Sequence, residues 1–408
     1  MSVTTTERRS MWPAALCWIT VMLEGYDLVV LGAVIPTLVS TEYAGINVAG
    51  ATTIATLSLV GVAIGAAMVG PLTDRFGRRI VLLGSIALFS IFTLLIPMAS
   101  SVAIFAAFRL IAGLGLGACM PTALTYMSEF LPPASRAKAS TWTMTGYHVG
   151  AVLTSLLALA VIPNWQPLFY AGGIAGLLIL PIMWAKLPES EAFLQAKKTS
   201  AAKVPLSMLL KPPYLRATIA VWVGSFMGLL LVYGLNTWLP KIMEGAGYPL
   251  DSAITMLLVL NVGAVVGLLL AGWAADRKGI KPVILLWFAL SAVLLALLSV
   301  KFGNTLLLNL AIFVTGVFVF SGMVLIYAYV THAYPPAIRG TALGLASAVG
   351  RLGAIFGPMV TGALVAAGLG YPWGFYFFAA VAVLGLVAMF TVPRSIAQTT
   401  EQDPALTS

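Results

Sequence analysis

Apolar residues run through this chain in long unbroken stretches rather than at the three-to-four-residue spacing of a surface helix. Twelve stretches, near 12–40, 50–72, 80–99, 102–128, 139–161, 166–186, 215–240, 252–275, 282–300, 305–331, 341–368 and 372–393, stand out. Each is about long enough to cross a hydrocarbon core of ~30 Å. The pattern predicts an all-α membrane protein of twelve transmembrane helices. Most connections are short, and the long one is a Lys-rich segment over 187–214.

Composition agrees, since 60% of the 408 residues are hydrophobic and only 9% charged, too few polar side chains to coat a soluble globule. The net charge of +9 raises the question of nucleic acid, which the placement of the cations answers. Lys and Arg gather at the termini and in the loops after even-numbered stretches, while the opposite loops hold only Lys241 and Lys301. By the positive-inside rule both termini and the 187–214 segment are expected in the cytoplasm, so the expected location is the cell membrane, multi-pass, with no nucleic-acid partner. Cys17 and Cys119 both fall inside apolar stretches, so no disulfide framework is implied. The first stretch is too long and too acidic for a cleaved leader.

The polar connections carry an internal repeat. Gly70-Pro-Leu-Thr-Asp74-Arg75-Phe-Gly77-Arg78-Arg79 follows the second stretch, and Gly272-Trp-Ala-Ala-Asp276-Arg277-Lys-Gly279 follows the eighth, at an offset of 202. Tyr126-Met-Ser-Glu129-Phe-Leu-Pro-Pro-Ala-Ser-Arg136 is echoed by Tyr329-Val-Thr-His332-Ala-Tyr-Pro-Pro-Ala-Ile-Arg339 at 203. Two matches at nearly one spacing divide the chain into six-helix halves, 1–186 and 215–408, joined by a cytoplasmic linker at 187–214. A Gly-rich turn bearing an acid and several cations at helix ends can pair across the halves and hold one gate closed. Gly70, Asp74, Arg75, Gly77, Arg78, Arg79, Arg136, Asp276, Arg277 and Arg339 are the gating candidates, with Glu129 and His332 as repeat mates beside them.

Over essentially its whole length the chain resembles the major facilitator superfamily, whose most specific signature is the Gly-x-x-x-Asp-Arg-x-Gly-Arg-Arg motif. The resemblance implies two six-helix halves that rock about a central site. It identifies the machine and not its cargo.

Charges inside the apolar stretches bear on the cargo, because a charge at mid-membrane is expensive and is functional by default. Glu24 and Asp27 lie three residues apart on helix 1, which aims both acids in roughly the same direction. Asp27 is about 22 Å into its helix, and Arg109 on helix 4 reaches a similar depth. Arg351 on helix 11 lands near the midplane. An Arg fork suits a carboxylate, and an acid held in apolar surroundings is a candidate to carry a proton. Asp27, Glu24 and Arg109 are therefore expected in proton coupling, and Arg351 and Arg109 in binding a small anion. His148, the repeat mate of Arg351, is a further binding candidate. So are Trp142, Tyr147, Tyr233, Asn236 and Tyr327, aromatic or amide groups on helices able to line a central cavity. Packing within the bundle is the competing role for each of these groups. Gly113, Gly115, Gly117, Gly146 and Gly150 are expected at close helix contacts.

Within the superfamily, Glu24-Gly-Tyr-Asp27 and the downstream run to Pro36 look like the helix-1 signature of the aromatic acid:proton symporters, with Glu where that group carries a first Asp. The segments Tyr334 to Ala342 and Gly350 to Pro358 are also similar to that group. The resemblance implies import of a benzoate-like or hydroxybenzoate-like anion with protons by a monomer that needs no cofactor beyond the proton gradient. It carries coupling to Asp27 and Arg109, and binding or gating to Arg351. A symporter of shikimate-like or aliphatic acids, a drug or metabolite exporter, and a transporter-like sensor remain alternatives. No nucleophile–base pair, metal cluster or phosphate loop supports an enzyme.

Overall fold

The computed structural model describes residues 12–130, 136–190, 194, 206–334 and 336–393. Twelve helices among them are long and apolar enough to cross a membrane. They are α1 (Trp12–Ser40), α2 (Val48–Phe76), α3 (Arg78–Leu95), α4 (Val102–Phe130), α5 (Arg136–Val161) and α6 (Gln166–Lys186). After the linker come α7 (Leu215–Gly245), α8 (Leu250–Lys278), α9 (Ile280–Leu297), α10 (Thr305–Ala333), α11 (Pro336–Ala366) and α12 (Trp373–Phe390). Apolar composition drives these segments into helices because only a helix satisfies every backbone group without water. Asn47 starts α2 by accepting from the Gly50 amide at 2.8 Å, and Asn304 starts α10 by accepting from the Leu306 amide at 2.8 Å.

The Gly70–Arg79 motif, expected as a loop, is mostly helix. α2 runs on through Phe76, with Asp74 and Arg75 in its last turns, and α3 begins at Arg78. Only Gly77 breaks the rise, at φ 88°, a value that favours glycine. Its counterpart Gly279, at φ 82°, breaks α8 from α9 in the same way. Apolarity marks only the membrane-embedded part of a helix, so an end that continues into polar surroundings escapes the pattern.

Pairing within the halves repeats every six helices: α1 packs on α5 as α7 does on α11, α2 on α4 as α8 on α10, and α3 on α6 as α9 on α12. Glycine permits the closest of these contacts. A Cβ at Gly113 would lie 2.3 Å from the Ser58 carbonyl, and one at its repeat mate Gly316 would lie 2.0 Å from that of Leu260.

The end of the bundle where α1 begins and α12 finishes is called the near end, and the opposite one the far end. The halves meet chiefly through α1 with α7, α2 with α11 and α5 with α8. A Cβ at Gly32 would fall 1.9 Å from the Asn236 carbonyl, and one at Gly362 would fall 2.2 Å from Thr52 Oγ1 and 2.7 Å from the Trp238 ring. Gly32, Thr52, Trp238 and Gly362 all sit toward the far end of their helices. There the buried apolar core is continuous across both halves, whereas the near end of the second half keeps a separate core around Tyr214, Trp287, Phe288 and Tyr329. Among the described residues, the close glycine contacts between the halves thus lie at the far end.

The first linker residues rest on the first half. The Glu189 carboxylate accepts from the Arg78 and Arg79 amides at 2.9 and 3.2 Å, capping α3, and the Pro188 carbonyl accepts from Tyr126 at 2.9 Å. On the other side of the linker, Leu209 is buried in the second half's near-end core, and Tyr214 stacks on Tyr334.

Candidate functional site

Two charged groups lie in the middle of the bundle, and α1 contributes to both. Asp27 accepts hydrogen bonds from Arg109 Nη1 on α4 and from the Thr93 hydroxyl at the end of α3. Arg109 Nη2 also reaches the Asp27 carbonyl at 3.3 Å. Both charged side chains are only 1% exposed. This is a desolvated ion pair wholly inside the first half, bringing together two residues expected at one depth.

Glu24 enters a different neighbourhood. Its carboxylate is fully buried, and neither oxygen has a hydrogen-bond partner among the described residues. The positive charge acting on it is Arg351, on α11 of the opposite half. Arg351 Nη1 donates to the Tyr233 hydroxyl on α7 at 3.2 Å, and its Nε is buried without a partner. Tyr147 on α5 and Tyr327 on α10 also lie within electrostatic reach of Arg351. The two acids of α1 therefore serve different helices. Three residues advance a helix by about 4.5 Å and leave the side chains about 60° apart, enough at a crowded junction to separate their partners.

A third polar group crosses the halves beside this cluster. His148 Nδ1 on α5 lies 3.4 Å from Asn261 Oδ1 on α8, and Asn261 Nδ2 donates to Asn236 Oδ1 on α7 at 2.9 Å. The His148 ring stands edge-on to Tyr147 and to Phe320 of α10, with centroids 5.2 and 5.3 Å away. His148, Asn236 and Asn261 are all buried.

The other expected residues lie elsewhere. Trp142 is 48% exposed and stacks on Trp18 rather than joining the cluster. In the first half, Arg78 donates to Glu129 through Nη2 at 2.9 Å, and Ser190 also donates to Glu129. Arg79 lies over Trp184 and donates to its carbonyl, and Arg75 is exposed against Phe76. Gly70 is exposed, and Gly77 is the break already described. In the second half, Asp276 is exposed, Arg277 lies over Trp273, and Arg339 Nε donates to the Tyr334 carbonyl at 3.2 Å. His332 is exposed and bonded to its own helix at the Ala328 carbonyl. Asp74 and Arg136 fall in α2 and α5, and their side chains lie outside the described residues. Each described contact of the gating candidates joins groups of the same half.

Sequence reasoning missed Asn261, Thr93 and the contacts of Glu189 and Ser190 with the first half. Asn261 carried a usable signal, a lone amide in the apolar run Met256-Leu-Leu-Val-Leu-Asn-Val-Gly. Thr93 carried none, since hydroxyls are common inside apolar helices.

The profile described as Major Facilitator Superfamily matches residues 17–270 and, overlapping them, 253–406. The chain belongs to the major facilitator superfamily. It is 31% identical to the gallate transporter of Pseudomonas putida over 405 residues, covering 90% of each chain. It is 34% identical to the gentisate transporter of Corynebacterium glutamicum over 388 residues, covering 92% of this chain and 86% of that one. The benzoate transport protein of Acinetobacter baylyi is 31% identical over 414 residues, covering 92% of this chain and 88% of that one. These relatives put the chain in the superfamily's aromatic-acid transporter branch. Among solved structures, the crystal structure of a D-xylose-proton symporter matches with a TM-score of 0.78 over 94% of this chain and 98% of that one, at 20% identity. A partially occluded inward-open form of the xylose transporter XylE from E. coli matches at 0.75 over 94% of this chain and 99% of that one, at 18% identity. This transporter is accordingly a multi-pass membrane protein of the same twelve-helix architecture.

Proposed function

We propose that the protein imports an aromatic carboxylate together with protons across the cell membrane, by alternating exposure of a central site. The observation that carries this reading is the cross-half cluster in which Arg351, bonded to Tyr233, lies within electrostatic reach of the unbonded carboxylate of Glu24 and of Tyr147 and Tyr327. A guanidinium with unused donors is a carboxylate receptor, and the surrounding rings offer faces for an aromatic body. Glu24 is the second anion of the cluster, so protonating it would leave the Arg351 charge for the substrate. Asp27 and Arg109 form the neighbouring coupling pair inside the first half. The relatives named for gallate, gentisate and benzoate agree with this cargo class.

Orientation follows from the cations of the loops. The near end, where Arg75, Arg78, Arg79, Arg277 and Lys278 cluster, faces the cytoplasm, and both termini lie there. The protein works as a monomer, the two halves of one chain forming the pathway.

The test is uptake of labelled benzoate and 4-hydroxybenzoate into proteoliposomes, with and without an acid-outside gradient. Gradient-driven uptake that Arg351→Gln and Asp27→Asn each abolish would support the reading. Uptake indifferent to the gradient would overturn proton coupling. Competition by shikimate but by no benzoic acid would overturn the cargo.

A further inference from the structure

We propose that His148, Asn261 and Asn236 form a subsite that reads a phenolic hydroxyl, making the transporter selective for hydroxylated aromatic acids over benzoate. This rests on the transport reading above and concerns the end of the substrate opposite its carboxylate.

The hydrogen-bond directions are fixed by one backbone group. Asn261 Nδ2 reaches the Leu257 carbonyl at 3.0 Å, and a carbonyl only accepts, so that atom is the amide nitrogen. Its second hydrogen goes to Asn236 Oδ1. Asn261 Oδ1 is then the atom facing His148 Nδ1 and can only accept, so the neutral imidazole carries its hydrogen on Nδ1. Two groups are left over. Asn236 Nδ2 is a buried donor with no hydrogen bond among the described residues, and the His148 bond to Asn261 runs through Nδ1, which leaves Nε2 as an acceptor. A phenolic O–H is the complement of that pair, donating to Nε2 and accepting from Nδ2.

The placement suits a small ring anchored at Arg351. Tyr233, which holds Arg351, lies one turn below Asn236 on α7, a rise of about 4.5 Å toward the far end. Tyr147 and His148 are consecutive on α5. On α10, Tyr327 lies beside Arg351, and Phe320, two turns closer to the far end, packs against His148. The carboxylate receptor and the amide–imidazole group thus form two successive levels on the same three helices, with aromatic side chains at both. A hydroxybenzoate is long enough to engage both levels at once. Benzoate would occupy the first level and leave both buried polar atoms of the second unmet, the situation in which a site discriminates against an analogue lacking one hydroxyl.

The experiment compares kcat/KM for 3- and 4-hydroxybenzoate with that for benzoate in proteoliposomes of wild type, His148→Gln, Asn236→Leu and Asn261→Leu. Asn236→Ser is read alongside, so that one poorly folding variant does not decide the outcome. The wild type is expected to favour at least one hydroxylated acid, and each variant to lower that preference by about tenfold, the loss of one well-placed hydrogen bond. Because the readout is a ratio within one preparation, a change in the amount of folded protein cancels. A wild-type ratio near unity, or variants that lose both substrates in equal proportion, would overturn the subsite and leave the network as packing. A wild type that carries no aromatic acid would instead overturn the transport reading itself.

Discussion

Asp27 and Arg109 are each 1% exposed and each is the other's counter-ion, so neither is expendable alone. Removing one partner of a buried pair leaves an uncompensated charge and costs about 3–5 kcal/mol, whereas removing both leaves none. Asp27→Asn and Arg109→Gln are each expected to lower the thermal midpoint of the purified protein in detergent by more than the double variant does. Uptake is expected to be lost in all three. A double variant less stable than both single ones would show that the pair is not a self-contained unit. Glu24 stands in contrast, in no ion pair and with no hydrogen bond to its carboxylate among the described residues. Glu24→Gln is expected to keep its thermal midpoint and to flatten the dependence of uptake on external pH. The acids, Arg109 and Arg351 were legible in the sequence because a charge in an apolar run stands out on its own. Their division into an ion pair inside the first half and an unbonded acid that answers to a cation of the other half was not legible. It depends on which helix lies beside each face of α1, and that is set by packing far away in the chain.

At the level of helices, glycines fall into two kinds that sequence spacing does not distinguish. Gly113 lets α4 lie against α2 inside one half, while Gly32 lets α1 lie against α7 across the halves. Substituting the first should disturb the half itself, and substituting the second should disturb only the joint between halves. Gly113→Leu is expected to reduce the folded yield. Gly32→Leu is expected to fold, but to prop the far end apart, slow uptake severely and speed alkylation of a cysteine placed at Thr52. Equal folding defects in both variants would refute the distinction. The helices themselves were readable from apolar run length alone, and the twofold repeat of six helices from two polar motifs. Their ends were not, because α2 continues to Phe76 through charged residues that an apolarity count treats as loop.

For the whole molecule, the cross-half contacts at Gly32 and Gly362 lie at the far end, and transport by alternating exposure would require them to part. Thr52 and Gly362 approach closely enough that cysteines at both positions should bridge. In a background with Cys17 and Cys119 replaced by Ala, the pair Thr52→Cys and Gly362→Cys is expected to lose uptake on oxidation and regain it on reduction. Thr52→Cys alone should be indifferent to both treatments, and Gly362→Cys alone, whose side chain crowds Trp238, supplies the baseline uptake that oxidation and reduction should leave unchanged. Uptake that survives the bridge would mean that transport does not require the far end to part. The near-end contacts have a different bearing, on how the gene can be divided. Because Glu189 caps α3, and Ser190 and Pro188 bond to Glu129 and Tyr126, the first six helices own the polypeptide as far as residue 190. Two separately translated fragments should therefore reassemble into a working carrier when the cut falls in the Lys-rich stretch beyond Ser190. A cut directly after Lys186 would strand those ties on the wrong fragment.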